Sequence, residues 1–184
     1  VLHEVAGRPM LGHAIAAAAE AGANQICLVT APEQHAVRAY ALSEAPEIIN
    51  CIQENQLGTG DAVRAAADAV SGVERVVVMF GDTPLMRADI LTQLSMSDAD
   101  VTVLGFEPDD AATYGRIVMD ATAPARIVEF KDADAETRAV TLCNGGAMGV
   151  HTEVLSALLP LLGNDNAQNE YYLPDLVQLA VQSR

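Results

Sequence analysis

The stretch Ile48–Val70, IINCIQENQLGTGDAVRAAADAV, contains a complete strand, loop and helix. Its first part, IINCIQ, has the length and composition of a buried strand, whereas DAVRAAADAV has apolar residues at helical spacing. Between them, two glycines flank Thr59. A strand that enters a helix through such a loop is typical of α/β domains built on a parallel sheet. This unit therefore predicts the fold class.

The same alternation of strand-length and helical patterns occupies the rest of the first half. The apolar runs QICLVTA and VERVVVMF predict two more buried strands, and MLGHAIAAAAEAG predicts an Ala-rich helix. The second half changes to short β-like runs separated by turns, and two helical patterns close the chain. We therefore expect a mixed, mostly parallel sheet flanked by helices.

Length and charge limit the function. The 184 residues are enough for one domain with a sizeable core. A formal net charge of −15, with ten basic residues, argues against nucleic acid or an anionic membrane as a partner. If the substrate is anionic, a divalent cation and backbone N–H groups must supply most of the positive field.

Cysteine usage and hydropathy predict a cytoplasmic protein. Cys27, Cys51 and Cys143 are far apart, odd in number and set in apolar stretches, so they are expected to be reduced core residues. No secretory signal or membrane-spanning run is recognisable. The sequence begins on Val1, in what reads as the middle of a domain, and we expect residues upstream.

The loop after IINCIQ has two interpretations. Thr59 could cap the following helix while Gly58 and Gly60 provide positive φ, which makes the loop a turn. Alternatively, the glycines let backbone approach a planar ligand whose edge is read by the amides of Gln53 and Gln56. A nucleobase has such an edge.

Asp82 follows the strand that ends in VVVMF. Ligands of open α/β sheets bind outside the carboxyl ends of the strands, which is where this side chain is expected. A carboxylate there suits Mg²⁺, a hard cation that keeps waters and phosphate oxygens as further ligands. The alternative is a turn residue that bonds its own backbone.

Other polar residues lie beside the short strands of the second half. Arg116, Glu129 and Lys131 could form a surface ion pair or bind a polar ligand. Asn144 precedes a glycine pair, which indicates either a β-bulge or close approach to a ligand. Asp175 is expected to open the last helix.

The motifs QLGTG, GDTPL, YGRIV, EFKDA and NAQNEYY occur in this order. Together they resemble the N-terminal uridyltransferase domain of the bifunctional N-acetylglucosamine-1-phosphate uridyltransferase / glucosamine-1-phosphate acetyltransferase family. Each motif alone is weak, but the series is specific and extends over essentially all of residues 1–184 as a single domain.

The resemblance implies a Rossmann-like nucleotidyltransferase fold with Mg²⁺ as cofactor. It also implies the reaction of UTP with N-acetylglucosamine 1-phosphate, giving pyrophosphate and UDP-N-acetylglucosamine, a precursor of peptidoglycan and lipopolysaccharide. Asp82 matches the metal-binding position. The matched positions for the nucleotide are Gln53, Gln56, Gly58 and Thr59, and those for the sugar are Gly115, Glu129, Asn144 and Tyr172.

The sequence also departs from the family. A loop of the form L-A-A-G-x-G-T-R-M and a Pro-Lys pair precede the position of Val1 in the family, and a second metal ligand follows that of Arg184. Neither is in this sequence, and no hexapeptide repeat of the acetyltransferase β-helix is seen, so no catalytic residue is assigned. We therefore expect little turnover and weak Mg²⁺ binding from this chain.

Three substitutions in the matched region leave the sugar open: Phe80, Gly145 and Pro174 stand where Tyr, Thr and Thr are common in the family. Two alternatives remain. One is a non-catalytic module that binds nucleotide sugars, and the other is a related sugar-1-phosphate or cytidylyl transferase. The pattern indicates no oligomeric state.

Overall fold

The structure, a computed structural model, describes residues 1–183. In the first half of the chain, helices alternate with short strands as the sequence predicts. These elements are β1 (Glu4–Val5), β2 (Arg8–Pro9), α1 (Met10–Glu20), β3 (Cys27–Thr30), α2 (His35–Glu44), β4 (Ile49–Ile52), α3 (Thr59–Ala66), β5 (Arg75–Val78) and α4 (Ala88–Ser95).

The second half is richer in strands, and two longer helical segments end it. Its elements are β6 (Val101–Phe106), β7 (Arg116–Asp120), β8 (Ala123–Val128), α5 (Ala135–Arg138), β9 (Cys143–His151), α6 (Thr152–Leu158), a 3₁₀ turn (Leu159–Leu161) and α7 (Asp175–Gln182). Asp175 opens α7, as expected.

Strand pairing gives a short antiparallel pair, β1 with β2, a small parallel sheet and a larger antiparallel one. β3 and β4 pair in parallel, and the larger sheet is organised around β9, which pairs with β5, β6 and β7, while β8 pairs with β7. The mixed sheet flanked by helices is thus confirmed. Parallel pairing does not predominate, however, because β5 bonds to the late strand β9, which runs antiparallel to it.

The two most apolar strands are less buried than their sequences predict. Every residue of β5 is half-buried, and so are the first three residues of β3. Strands covered on both faces normally read as continuous apolar runs, as these do. Among the described residues, each of these strands has one edge without a neighbouring strand, which leaves it partly exposed. Within residues 1–183, β3 pairs only with β4, and β5 pairs only with β9.

The core has two parts. The main cluster joins β9 and β7 to α6 and α7 through fully buried side chains such as Val150, Ile117 and Leu176. A smaller cluster holds α1 against α2 and includes Leu11, Ile15 and Ala41.

Arg116 is a buried structural residue. It is 3% exposed, and its guanidinium donates hydrogen bonds to the backbone carbonyls of Ala111, Ala112, Tyr114 and Arg138. The surface ion pair considered from the sequence is therefore wrong for this arginine. A buried guanidinium needs acceptors for its five N–H groups, and here backbone carbonyls supply them.

No helix within residues 1–183 is long and apolar enough to cross a membrane.

Gly149 in β9 gives a test of the packing between α4 and the larger sheet. A Cβ at this position would overlap the carbonyl oxygen of Leu94, which is backbone and cannot swing aside. We expect Gly149→Ala to displace α4 and to lower the free energy of unfolding by about 1–3 kcal/mol, measured by chemical denaturation.

The matched control is Gly163→Ala, where a Cβ would meet nothing within 4 Å. Its free energy of unfolding should stay within about 0.5 kcal/mol of the original chain. Equal stability of the two variants would contradict the packing described for Gly149.

Candidate functional site

The loop between β4 and α3 is held in shape by Gln53. Its Nε2 donates to the carbonyl oxygen of Gly58 at 3.0 Å and to Oδ2 of Asp61 at 2.8 Å. Gly58 has φ of +106°, a conformation that strongly favours glycine. The side-chain oxygen of Gln53 is left as the free hydrogen-bonding atom of this amide.

The same loop is bonded to a segment more than a hundred residues further along the chain. The Tyr171 N–H donates to the Leu57 carbonyl, and the Gly60 N–H donates to the Tyr171 carbonyl, both at 2.7 Å. A Cβ at Gly58 would lie 2.7 Å from the Tyr171 oxygen. We call this pair of backbone hydrogen bonds the backbone clamp.

Thr59 reinforces the backbone clamp rather than capping α3. Its Oγ1 accepts a hydrogen bond from the Leu173 N–H at 2.9 Å, and no side chain caps the helix, whose N-cap residue is Gly58. The side-chain cap considered from the sequence is therefore wrong. The glycines do serve a close approach, as one interpretation required, but the observed partner is the chain's own backbone.

Gln56 lies apart from these contacts. Its side chain is exposed, and its Nε2 lies 3.5 Å from Oε1 of Glu33, in the loop before α2.

Asp82 lies in the turn after β5 with an exposed carboxylate. The turn is fixed by Thr83, whose Oγ1 donates to the Phe80 carbonyl at 2.7 Å, and not by the Asp82 side chain. The carboxylate is thus available for a ligand. Among the described residues, no group of three or more His, Cys, Asp or Glu side chains is placed to hold a metal ion.

Three of the residues matched to the sugar meet where β7, β8 and β9 adjoin. The Asn144 N–H donates to the Gly115 carbonyl at 2.9 Å, and a Cβ at Gly115 would lie 3.1 Å from Oε1 of Glu129. Asn144 Oδ1 accepts from the Gly146 N–H at 3.1 Å, which leaves its Nδ2 as a free donor. The site thus offers a carboxylate and an amide donor, on two residues that both contact Gly115.

Phe80 connects this region to the turn that carries Asp82. Gly146 has φ of +78°, and a Cβ there would lie 2.7 Å from the Phe80 ring. The ring therefore rests on Gly146, the second residue after Asn144.

Tyr172 and Asp175 belong to a partly buried acidic group that the sequence analysis missed. Tyr172 is 8% exposed, and its hydroxyl is buried with no hydrogen-bond partner of normal geometry. Burial, helped by the Asp132 carboxylate, raises the pKa of Tyr172 to about 12. Burial and then the charge of Asp132 raise the pKa of Asp175 to about 6. The pKa of Glu129 is raised in the same way, by burial first and then by Asp132 and Asp175.

Asp132 joins the parts of this acidic group. Its N–H donates to the Glu129 carbonyl at 3.0 Å, and its Oδ1 accepts from the Ala167 N–H at 2.8 Å. The neighbouring cation, Lys131, contacts the side-chain oxygen of Gln168. A usable signal was present in the sequence: EFKDA carries two acids three residues apart directly after a strand.

The structure therefore links the predicted residues through direct contacts. The backbone clamp connects Gly58 and Thr59 to the Tyr172 segment, and Asp132 connects that segment to Glu129, beside Gly115 and Asn144. Only Gln56 lies outside this series, and Asp82 joins it indirectly through Phe80.

Comparison with known proteins shows the family of the chain. A family model described as the MobA-like NTP transferase domain matches residues 1–168. The bifunctional protein GlmU of Ruegeria sp. (strain TM1040) is 46% identical over 183 residues, which is 98% of this chain and 41% of that protein. GlmU of Parvibaculum lavamentivorans is 46% identical over 181 residues, covering 96% of this chain and 40% of the relative.

The chain thus spans about 40% of the length of these curated relatives. Among solved structures, a UDP-glucose pyrophosphorylase complexed with UDP-glucose superposes with a TM-score of 0.79 at 17% identity, covering 100% of this chain and 78% of that one. This likeness establishes a shared nucleotidyltransferase fold. Since the family model matches most of this chain, residues 1–168, the chain belongs to the family of MobA-like NTP transferase domains.

Proposed function

We propose that this chain is the nucleotidyltransferase part of a longer bifunctional protein and forms UDP-N-acetylglucosamine and pyrophosphate from UTP and N-acetylglucosamine 1-phosphate. The backbone clamp carries the proposal, because it fixes the candidate nucleotide loop beside the candidate sugar residues. The relatives named GlmU support the choice of substrates. A cytosolic location is part of the proposal and fits the three free cysteines.

The hydrogen bonds of Gln53 favour uracil over cytosine. Both N–H groups of its amide are directed to Gly58 and Asp61, so its free atom is an acceptor. Uracil presents an N3–H donor to such an acceptor, whereas the N3 of cytosine is itself an acceptor. An acceptor placed opposite N3 is paired by uracil and left unpaired by cytosine, whose donor is its 4-amino group.

The sugar pocket is built from a carboxylate and an amide. Glu129, packed against Gly115, would accept hydrogen bonds from sugar hydroxyls, and the free Nδ2 of Asn144 would donate to a sugar oxygen. The raised pKa of Glu129 reflects its burial, so hydroxyl donors would compensate for water that the carboxylate has lost.

In the reaction, an oxygen of the sugar phosphate attacks the α-phosphorus of UTP and pyrophosphate leaves. The chain's part in such a transfer is to hold the two substrates in line. Asp82 would hold Mg²⁺, since its carboxylate is exposed and unengaged, and phosphates and waters would complete the ligand set. When bound, the ion offsets phosphate charge.

The chain itself supplies little positive charge for two phosphorylated substrates. Arg64 donates to the carbonyls of Leu159 and Leu162 and lies 4.1 Å from the centroid of the Tyr171 ring, and Arg116 is fully engaged with backbone carbonyls. We therefore expect this chain to bind its substrates but to convert them slowly.

A ligand panel tests the proposed function. Calorimetry should detect UDP-N-acetylglucosamine binding in Mg²⁺, with a cytidine diphosphate sugar at least tenfold weaker, because Gln53 lacks a donor for cytosine. Pyrophosphate release from UTP should stay near background. Preference for the cytidine compound, or rapid turnover by this chain, would refute the respective part of the proposal.

The sugar side of the same panel is checked with Glu129→Gln, which should weaken UDP-N-acetylglucosamine binding while leaving UTP binding unchanged. Exposed Glu47→Gln is the matched control and should affect neither. An equal loss of affinity for both ligands in Glu129→Gln would show that Glu129 does not act on the sugar specifically.

Asp82→Asn tests the metal assignment. We expect the Mg²⁺-dependent gain in affinity for UDP-N-acetylglucosamine to fall about tenfold or more, because a neutral amide is a poor ligand for this cation. Thermal stability should not change, since the side chain is exposed and, within residues 1–183, makes no hydrogen bond or ion pair. Asp120→Asn, at an exposed site on β7, is the control, and an undiminished Mg²⁺ response in Asp82→Asn would exclude the assignment.

Asp175 predicts a pH dependence of stability. Its pKa is raised to about 6 from 3.8, so the folded chain binds this proton more tightly than the unfolded chain does. Stability conferred by the protonated form is therefore lost as pH rises from 4 to 6. Asp175→Asn removes this loss, and its stability relative to the original chain should rise by roughly 1 kcal/mol above pH 6 after allowance for solvent screening.

The control for Asp175 is Asp89→Asn in the first turn of α4. A hydrogen bond from Arg87 lowers the pKa of Asp89, so its stabilising charge is present above its ordinary pKa and disappears in acid. The control should therefore lose relative stability as pH rises. Thermal melting from pH 3.5 to 8 measures both, and parallel curves for the two variants would contradict the assignment of the buried proton.

A further inference from the structure

The segment from Asn166 to Glu170 is folded on itself by one side chain. Oδ1 of Asn166 accepts hydrogen bonds from the N–H groups of Gln168 and Glu170, both at 3.2 Å, and its Nδ2 donates to the Glu170 carbonyl at 2.6 Å. Asn169 has φ of +55°, a turn conformation that asparagine adopts more readily than most residues. These hydrogen bonds make the segment a compact unit, which we call the Asn166 loop.

The carboxyl end of the Asn166 loop is attached to the candidate nucleotide loop. Tyr171, the next residue, forms the backbone clamp with Leu57 and Gly60. Leu173 follows and donates its N–H to Oγ1 of Thr59 at 2.9 Å. The carboxyl end is therefore fixed to the residues that we assign to the nucleotide.

The amino end of the Asn166 loop is attached to the turn that follows Glu129. Oδ1 of Asp132 accepts from the Ala167 N–H at 2.8 Å, and the Lys131 ammonium contacts the side-chain oxygen of Gln168. The Asp132 N–H donates in turn to the Glu129 carbonyl at 3.0 Å. Asp132 reaches the loop backbone through a short side chain, whereas Lys131 has a long and flexible one, so Asp132 fixes the position of the loop more closely.

A nucleotide sugar would contact both ends of this connection at once. According to the proposed function, its base lies at the loop after β4 and its sugar lies beside Glu129 and Asn144. A ligand that spans two sites binds more tightly than its separate parts when the sites are held at the right separation. Movement between the sites would have to stop when the ligand binds, and that ordering lowers the affinity.

We propose that Asp132 is a positioning residue that fixes the separation of the nucleotide and sugar sites through the Asn166 loop. It acts through the Ala167 N–H and touches neither substrate. The inference rests on the proposed function and adds a residue to which the family resemblance assigns no role. Because each site keeps its own contacts, loss of Asp132 weakens a ligand that spans both sites and spares a ligand that occupies one.

The test compares three ligands by calorimetry in Mg²⁺. UDP-N-acetylglucosamine spans both sites, whereas uridine monophosphate and N-acetylglucosamine 1-phosphate each occupy one. In Asp132→Ala, we expect the affinity for UDP-N-acetylglucosamine to fall roughly fivefold or more, because a hydrogen bond to a charged group is lost. The two smaller ligands should bind as they do to the original chain. Asp132 is exposed, so the variant should fold, and Asp165→Ala, at an exposed acid in the same part of the chain, is the matched control.

Asp132→Asn separates the hydrogen bond from the charge. This distinction is needed because the Asp132 charge, after burial, contributes to the raised pKa of Glu129. Asparagine keeps an oxygen acceptor for the Ala167 N–H, so its loss of affinity should be the smaller one. A loss as large as that of Asp132→Ala would assign the effect to charge and overturn the proposal. Weaker binding of N-acetylglucosamine 1-phosphate alone, an equal loss for all three ligands, or no loss in Asp132→Ala would also overturn it.

Amide hydrogen exchange without ligand gives a second readout. In Asp132→Ala, the Ala167 amide should exchange faster, while the Gly60 and Tyr171 amides of the backbone clamp stay protected. Unchanged exchange at Ala167, or loss of protection at the clamp as well, would contradict the anchoring role of Asp132. This readout needs no substrate, so a chain that binds no UDP-N-acetylglucosamine would refute the proposed function, and the anchoring by Asp132 would still be decided by exchange.

Discussion

The backbone clamp between Leu57, Gly60 and Tyr171 is the constraint on which the candidate site depends. It closes a loop of more than a hundred residues, a closure whose entropic cost grows only slowly with length and is repaid by the core that α6 and α7 share with the larger sheet. Glycine at positions 58 and 60 is required because a Cβ at either would crowd the Tyr171 carbonyl. Without this approach, the loop that follows β4 would have no fixed position relative to Tyr172.

Apolar periodicity predicts helices and strands but not which strands pair. Apolar spacing located α1, α4 and the strands, and the rule that sites lie after parallel strands selected Gln53 and Asp82. Spacing does not report which strand is the neighbour of another, so the pairing of β5 with β9 was missed. The family resemblance predicted that Glu129 and Asn144 contact the sugar. In the structure, both residues contact Gly115.

Polar side chains were harder to predict than apolar ones, because their partners are remote in sequence. Thr59 looked like a helix cap, yet its hydroxyl accepts from Leu173. Arg116 looked like a surface cation, yet it satisfies four carbonyls from within the fold. In both cases the local sequence fitted the usual role, a helix cap for threonine and a surface charge for arginine. A contact with residues distant in sequence or in the loop gave each side chain a different one. The acidic group around Asp132 shows the same limit, since its contacts form only when Ala167 and α7 pack near it.

The contact of Phe80 with Gly146 ties the turn after β5 to the start of β9, just after Asn144. Since the ring fills the space that a side chain at position 146 would need, the two positions cannot vary independently. Because Gly146 also has φ of +78°, a larger residue there would be strained even alongside a smaller one at position 80. A change of side chain at position 80 therefore acts both on the turn that carries Asp82 and on the backbone that follows Asn144.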